Sequence, residues 1–282
     1  MKKNIHTLLL LAFTIIGVTS CKEDLGTEPG EDSTPIATLY SYETSLPYNA
    51  DNDVRVRFAT NNAVQSVYCL AEKSEDYAKN LASMGEDGYK NYVIENGSKV
   101  KNLVASSFVD SVFTGLMGEY KISAVAIKGG EKTLRTTTFF GLMWEDVVKG
   151  TYYFNEAAAT KVIKAESTET TLQKCTNSDG IYRFKDLYGK GYNLKFYLTG
   201  DRDKDADGEF SIIYAPSSIT SYSYGSYGSV YARDVYTWQG NVADYLNGAF
   251  YDDNSVFLWM QYYVNIEKGS LGYGWESFVP AE

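Results

Sequence analysis

Histidine is almost absent from this sequence of 282 residues: His6 is the single one, and it lies in the N-terminal segment. Nucleophilic sites of the Ser-His-Asp and Cys-His kinds need an imidazole as base, and many zinc and iron sites need it as a ligand. Beyond residue 6 the sequence therefore excludes these sites. A glycosidase needs two carboxylates instead, and the 36 acidic residues leave that chemistry open.

Positive charge is also scarce. The chain has 26 Lys and Arg against 36 Asp and Glu, which gives a formal net charge of −10. A surface with this charge repels nucleic acid and anionic lipid. We therefore expect no nucleic-acid partner and no membrane contact through the protein surface itself.

Cysteines and long apolar runs are few as well. Cys69 and Cys175 are the cysteines of the chain body, and an exported protein could join them in a disulfide. Each lies in a different predicted domain, so two separate thiols are the favoured interpretation. The run from Leu8 to Val18 is too short for a permanent membrane span, and no later segment reaches the roughly 18 apolar residues of a spanning helix.

The N-terminal segment has the basic start and apolar middle that are typical of a secretory signal peptide. It closes with Val18-Thr19-Ser20-Cys21, and small residues before a cysteine resemble the lipobox of bacterial lipoproteins. This resemblance implies cleavage after residue 20 and a diacylglycerol on the thiol. An ordinary signal peptide with a coincidental cysteine, or a short membrane helix, is the alternative. We predict a signal peptide at residues 1–20 and lipidation at Cys21.

The residues after Cys21 resemble a localisation signal. Lys22-Glu23-Asp24 is similar to the lipoprotein export signal of Bacteroidetes, which implies that the anchored protein reaches the outer face of the outer membrane. Residues 21–35 are acidic, contain Gly and Pro and have almost no apolar content, which is typical of a flexible tether. The membrane contact that we expect is through the lipid anchor alone.

The first predicted domain, residues 36–142, combines short strands with a helical insertion. Val54–Phe58 alternates apolar and polar residues, as a half-buried strand does. Ser74 predicts the N-cap of a helix that runs toward Met84, and a second helix is predicted at Asp87–Glu95. The other predicted strands are Val64–Leu70, Tyr120–Ile127 and Thr133–Phe140. The strand spacing resembles immunoglobulin or fibronectin type III modules, which implies an all-β sandwich with an added helical insertion.

The second predicted domain, residues 143–282, is rich in aromatic residues. Tyr192–Leu198 alternates strictly, and this parity places Leu194, Phe196 and Leu198 on one face. Further strands are predicted at residues 150–154, 181–184, 209–214, 229–238, 249–251, 255–263 and 274–279. We expect an antiparallel β sandwich or a partly open barrel.

A block in this domain, Asp179–Leu194, resembles a domain that is common in Bacteroidetes surface lipoproteins. The resemblance covers residues 144–282 and rests on structural motifs, such as the opening Gly-x-Tyr strand at Gly150. Such proteins are often encoded beside glycan-uptake machinery, which implies a polysaccharide or oligosaccharide partner, or an outer-membrane uptake complex. The resemblance carries no set of catalytic residues, so we assign none.

An acidic run in the same domain is the most specific local motif. From Asp203 it matches the first half of an EF-hand calcium loop, with Gly208 at the turn position. Tyr214 stands where the bidentate glutamate belongs, strands rather than helices are predicted on both sides, and Arg202 and Lys204 offset part of the charge. A calcium site and a solvated acidic turn are therefore both open. The candidate calcium ligands are Asp203, Asp205, Asp207 and Glu209.

Tyrosine, serine and glycine dominate residues 221–231. Tyrosine rings give rigid, amphipathic contact surface, and the C–H faces of sugars stack on such rings. Packing of each ring on its own sheet is the alternative. Trp275 lies near a glycine-rich turn and is expected to be partly exposed, whereas Trp259 lies in a continuous apolar run and is expected in the core. The candidate glycan-binding residues are Tyr222, Tyr224, Tyr227, Trp238 and Trp275.

Together these features predict a surface lipoprotein without enzymatic activity. Its N-terminal sandwich is expected to act as a spacer for a C-terminal β domain that binds an extracellular glycan or assists a glycan-uptake complex. The alternatives are a structural or adhesive protein that binds a protein partner, and a glycosidase that uses two carboxylates. No cofactor is expected, apart from calcium if the acidic run holds it.

Overall fold

The computed structural model describes residues 34–45, 47–240, 248–267 and 269–281. The predicted signal peptide, the lipidation site Cys21 and most of the predicted tether lie outside these residues. The chain divides into two compact units between Phe140 and Gly141. In the described part, no helix combines the length and the apolar character that a membrane span requires.

Strands make up most of the described chain, which confirms the predicted all-β class. The elements of the N-terminal unit are β1 Ala37–Glu43, β2 Val54–Thr60, β3 Ser66–Lys73, α1 Ser74–Asn96, β4 Ser98–Lys99, β5 Phe108–Phe113, β6 Gly118–Lys128 and β7 Glu131–Gly141. The strands form two sheets, ordered β1-β2-β5 and β4-β3-β6-β7. Val56 and Phe58 of the first sheet share one core with Val67 and Ile122 of the second. The unit is therefore built of two packed sheets.

The predicted helical insertion is α1, which bends at Gly85. The backbone there leaves the helical region, with φ 68° and ψ 171°, and a positive φ suits a residue that has no Cβ. The bend explains why the sequence predicts two separate helices here. The prediction of Ser74 as N-cap is wrong by one position: β3 ends at Lys73 and runs directly into the helix, so Lys73 stands at the N-cap, and its side chain makes no capping hydrogen bond.

Both cysteines of the described chain are buried and free, which confirms the interpretation as separate thiols. The Cys69 thiol donates to the carbonyl of Ser98 over 3.5 Å, and the Cys175 thiol donates to Oδ1 of Asn177 over 3.2 Å. Burial raises the pKa of Cys69 to about 11. The Cys69 thiol therefore stays protonated and unreactive at neutral pH.

The C-terminal unit contains the strands β8 to β17. Its elements are β8 Trp144–Tyr153, a π-helical turn Ala158–Ile163, β9 Ser167–Cys175, β10 Ile181–Lys185, β11 Leu194–Lys204, β12 Glu209–Tyr214, β13 Ser218–Ser223, a 3-10 turn Gly225–Tyr227, β14 Ser229–Asp234, α2 Val235–Gln239, β15 Gly248–Tyr251, β16 Val256–Val264 and β17 Ser270–Pro280.

Eight of these strands close into a barrel, in the order β8-β9-β10-β11-β12-β15-β16-β17. β17 closes the ring because it pairs with β8 on one edge and with β16 on the other. β14 pairs with β16 beyond the end of β15, and β13 pairs with β14. The prediction of a sandwich or a partly open barrel is therefore corrected to a closed barrel.

Side chains fill the interior of the barrel, as in other small barrels. Leu194 and Phe196 are completely buried and Leu198 is partly buried, as the alternation of this strand predicts. The segment before the π-helical turn packs closely on β17. A Cβ at Gly272 would lie 2.3 Å from Cβ of Ala157, so this contact requires glycine.

Candidate functional site

Four aromatic side chains form a continuous surface on the outside of the barrel, which we call the aromatic face. They are Trp238 of α2, Trp259 of β16, and Tyr273 and Trp275 of β17. Trp259 and Trp275 stand opposite each other in the β16–β17 ladder. Directly opposite residues in an antiparallel ladder have adjacent side chains, so the ladder places these two rings in contact.

Ring contacts join all four side chains in a row. The centroids of Trp238 and Tyr273 are 5.3 Å apart, those of Tyr273 and Trp259 are 5.9 Å apart, and those of Trp259 and Trp275 are 5.4 Å apart. The last pair is stacked, with 27° between the ring planes. Tyr273 is 55% exposed and Trp275 is 48% exposed. Such large apolar rings remain in contact with water, which is the condition for a ligand platform.

The expected core position of Trp259 is wrong. Residues of β16 alternate across the barrel wall, so Leu258 and Met260 are buried inside while Trp259 lies outside and is partly covered by its aromatic neighbours. The continuous apolar run hides this alternation because both faces of the strand carry hydrophobic residues. The indole Nε1 of Trp259 is buried and makes no hydrogen bond within the described chain.

Asp234 fixes the short helix that carries Trp238. Its Oδ1 accepts from the backbone N–H of Thr237, and its Oδ2 accepts from that of Ala215, both over 2.7 Å. Burial raises the pKa of Asp234, although these donors oppose the shift. The carboxylate thus serves as an N-cap and as a link between α2 and the chain that follows β12.

A polar margin borders the aromatic face. Gln261 is 2% exposed. Its Oε1 accepts from Nε of Arg233 over 2.9 Å, and its Nε2 donates to Oγ of Ser270 over 3.2 Å. The guanidinium carbon of Arg233 lies 4.2 Å from the ring centroid of Tyr263. The margin therefore presents an arginine that two neighbours hold in one orientation.

The five predicted glycan-binding residues fall into two groups. Trp238 and Trp275 belong to the aromatic face, and the sequence missed Tyr273, although it lies two residues before Trp275 and so shares its side of the strand. Tyr222 is half-buried against the barrel core. Tyr224 and Tyr227 stack on each other at 6.3 Å in the turn between β13 and β14.

The four candidate calcium ligands lie in the β11–β12 hairpin and do not converge. Asp205 is committed to the turn: its Oδ1 accepts from the backbone of Asp207 and Gly208, and its Oδ2 accepts from the hydroxyl of Tyr251 over 2.5 Å. The Tyr251 hydrogen bond is the main cause of the lowered pKa of Asp205. Within the described ranges, no group of three or more acidic, histidine or cysteine side chains is placed to hold a metal ion. The geometry of Asp203, Asp205, Asp207 and Glu209 is that of an acidic turn.

A buried carboxylate, which the sequence analysis does not predict, lies inside the barrel. Glu276 is 2% exposed. Its Oε2 accepts from the hydroxyls of Tyr152 at 2.8 Å and Tyr262 at 3.2 Å, and its Oε1 accepts from the backbone and side-chain nitrogens of Asn155 at 3.1 and 2.9 Å. The hydroxyl oxygen of Tyr262 also lies 3.3 Å from that of Tyr188. Period-two alternation with buried Phe278 is the signal that places Glu276 inside.

Burial sets the ionisation of this cluster. It raises the pKa of Glu276 to about 7, while the hydrogen bonds from Tyr152, Asn155 and Tyr262 lower it. Burial also raises the pKa values of Tyr152, Tyr188 and Tyr262 well above the ordinary range, so these phenols stay neutral donors. The carboxyl is fully satisfied by internal donors.

No protein-family model matches the chain, and no curated protein matches it either. Among solved structures, a mutant of Kfla1895 in complex with cyclobis-(1→6)-α-nigerosyl is 13% identical with a TM-score of 0.25, and the match covers 84% of this chain and 30% of that one. The cycloalternan-degrading enzyme from Trueperella pyogenes in complex with cycloalternan is 8% identical with a TM-score of 0.25, over 81% of this chain and 31% of that one. The chain spans less than a third of the length of these proteins, and TM-scores this low support no inference about its fold or function.

Proposed function

We propose that this chain is a lipid-anchored surface protein without catalytic activity, and that its C-terminal unit binds an extracellular polysaccharide or oligosaccharide on the aromatic face. The observation that carries the proposal is the row of four contacting rings, two of them about half exposed, on the outside of a filled barrel. The interior holds side chains and leaves recognition to the outer surface.

Sugar chemistry suits this surface. A pyranose presents C–H groups on its faces, which pack on aromatic rings. Neighbouring centroids are 5.3 to 5.9 Å apart, about the length that one sugar adds to an extended glycan. Covering Tyr273 and Trp275 with a sugar stabilises the complex by roughly 25 cal/mol for each Å² of apolar area that is removed from water. A bound chain of several sugars therefore gains at both of these exposed rings.

The sequence supports the cellular part of the proposal. The N-terminal signal, the small residues before Cys21 and the acidic run after it favour lipid anchoring at the outer membrane, facing outward. The N-terminal unit, whose strand spacing resembles immunoglobulin or fibronectin type III modules, then acts as a spacer. A glycan-uptake complex at the outer membrane is the partner that this arrangement suits.

Two buried acids are bonded inside the fold and are not open to a substrate. Glu276 and Asp234 are acids whose pKa values burial raises, and each accepts hydrogen bonds from internal donors. A glycosidase instead needs an acid and a second carboxylate that both reach the scissile bond. Incubation with labelled oligosaccharides is expected to leave them intact; turnover that is lost on mutation of one acidic pair would establish the enzymatic alternative.

Affinity electrophoresis tests glycan binding. A soluble chain of residues 22–282 is run in gels that contain single polysaccharides, and retardation by one polymer class is the expected result. Trp275→Ala and Tyr273→Ala each remove a stacking surface and should weaken binding roughly five- to tenfold. Tyr227→Ala is the matched control, because Tyr227 is 58% exposed but lies on another hairpin.

Two results would contradict this proposal. Retardation that survives Trp275→Ala and is lost in Tyr227→Ala would move the site to the β13–β14 turn. Absence of retardation in every gel would favour a protein partner instead.

A surface on the N-terminal unit favours that second candidate, an adhesive protein. The guanidinium carbon of Arg57 lies 4.1 Å from the ring centroid of Phe108 and 5.4 Å from that of Tyr42, and Arg55 lies 5.3 Å from the latter. Phe108 is 59% exposed. Tyr, Phe and Arg are enriched at protein interfaces. Co-purification of one stoichiometric protein, lost in Phe108→Ala, would support this function.

A further inference from the structure

Arg233 is held in one orientation before any ligand arrives. Its Nε donates to Oε1 of Gln261 over 2.9 Å, and its guanidinium lies 4.2 Å above the ring of Tyr263. Gln261 is itself buried and donates to Ser270. A planar guanidinium fixed in this way loses little further freedom on binding.

The surroundings of Arg233 differ from those of Arg57 and Arg202. Arg57 pairs with Asp110 at 2.8 Å, and Arg202 pairs with Asp252 at 2.9 Å. The neighbours that hold Arg233 are an amide and a phenol ring, which are neutral. This fixed cation is complementary to an anionic group on a ligand.

Arg233 and the aromatic face share the same side of the barrel wall. Arg233 stands opposite Gln261 across β14 and β16, and Gln261 stands opposite Tyr273 across β16 and β17. Neighbouring strands lie about 4.8 Å apart, so Arg233 and Tyr273 belong to strands separated by roughly 10 Å. A glycan of two or three sugars that stacks on Tyr273 and Trp275 can therefore reach the guanidinium.

We infer that the glycan bound on the aromatic face contains uronic acid, and that a sugar carboxylate binds the guanidinium of Arg233. The inference rests on the proposed function and names the substrate class of the same site. The carboxylate of a uronic acid replaces the exocyclic alcohol of the parent sugar and leaves the ring faces free to stack. The forked donors of arginine match a carboxylate better than a single alcohol.

A matched pair of polymers tests the inference. Polygalacturonate and its methyl ester share one backbone and differ in the carboxylate charge. The dissociation constants of the soluble chain for both polymers are measured by affinity electrophoresis. We expect binding to the acid to be roughly tenfold tighter, the size of one partly exposed charge-assisted hydrogen bond. Arg233→Met, which keeps an apolar stem over Tyr263, should remove this preference and leave binding to the ester unchanged.

Three further samples keep the result interpretable. Arg55→Met removes an exposed arginine that lies over a tyrosine, and the preference should persist in it. Trp275→Ala should weaken binding to both polymers by a similar factor. Poly-glutamate tests whether any polyanion suffices, and it should bind at least tenfold more weakly than polygalacturonate.

The outcomes distinguish the role of Arg233 from glycan binding on the aromatic face. Equal binding of acid and ester by the unmodified chain would overturn the role of Arg233 while glycan binding stands. A preference that survives Arg233→Met in a folded variant, or equal binding of poly-glutamate, would also overturn it. Failure to bind these two polymers and every neutral glycan would overturn the proposed function as well.

Discussion

Replacement of Glu276 by glutamine should change how the stability of the C-terminal unit depends on pH. The pKa of Glu276 rises from an ordinary 4.5 to about 7 on folding. The folded state therefore binds the proton more tightly than the unfolded state, and stability falls as pH rises from about 4.5 to about 7. At 1.36 kcal/mol for each pKa unit, the ionised carboxylate costs about 3 kcal/mol above pH 7.

Glu276→Gln imitates the protonated acid. Its amide oxygen can accept from Asn155, and its amide nitrogen can donate to the hydroxyl oxygens of Tyr152 and Tyr262. We expect the variant to match the wild type at pH 4.5 and to exceed it by up to about 3 kcal/mol at pH 8. The phenols facing Glu276 do not titrate in this range because burial raises their pKa values.

Urea unfolding followed by tryptophan fluorescence from pH 4.5 to 8 measures the difference between the two chains. Groups that titrate elsewhere contribute equally to both chains and cancel in this difference. Glu166→Gln is the control, since Glu166 is exposed and should leave the curve of the wild type unchanged. A constant difference between wild type and Glu276→Gln across this pH range would refute the assignment of a proton to buried Glu276.

Other expected outcomes follow from single contacts. Gly272→Ala should lower the free energy of unfolding by roughly 2 to 3 kcal/mol in urea, because the added Cβ would lie 2.3 Å from the nearest side-chain carbon. Gly200→Ala, also at positive φ but in open space, should lower it by less. Asp234→Ala should lower the free energy of unfolding by about 2 kcal/mol and weaken glycan binding, because it leaves two backbone donors unpaired beside the helix of Trp238. Calcium or a chelator should leave the thermal midpoint unchanged; a rise with calcium would show that the acidic run binds it.

Local patterns in the sequence predict most of the strands but not the closure of the barrel. Alternation places Leu194 and Phe196 inside, since it depends on neighbours within one strand. Closure depends on β17 pairing with both β8 and β16, which are distant in the chain, and no local pattern specifies that register. The bend at Gly85 lies between two predicted helices, because a lone glycine at positive φ interrupts a helix without ending it.

Local patterns predict only part of the candidate site for a similar reason. Trp238 is predicted from its position near the tyrosine-rich stretch, and Trp275 from the glycine-rich turn beside it. Their common surface with Trp259 and Tyr273 arises from the ladder and from α2. The sequence does not identify Glu276 as buried, because a single acid between aromatic residues looks the same in an exposed loop as at a core position. Its burial follows only when the strand is known to continue through Phe278.

The closed barrel separates the residues that keep the unit folded from those that can meet a ligand. Along β16 from Val256 to Met260 and along β17 from Tyr273 to Phe278, every second residue faces inside, and the intervening ones face outward. Tyr273 and Trp275 can therefore be exchanged without repacking Leu258 or Phe278. Related chains could diversify their recognition by changing outward positions alone, and the same freedom makes this wall a scaffold on which binding specificity can be redesigned.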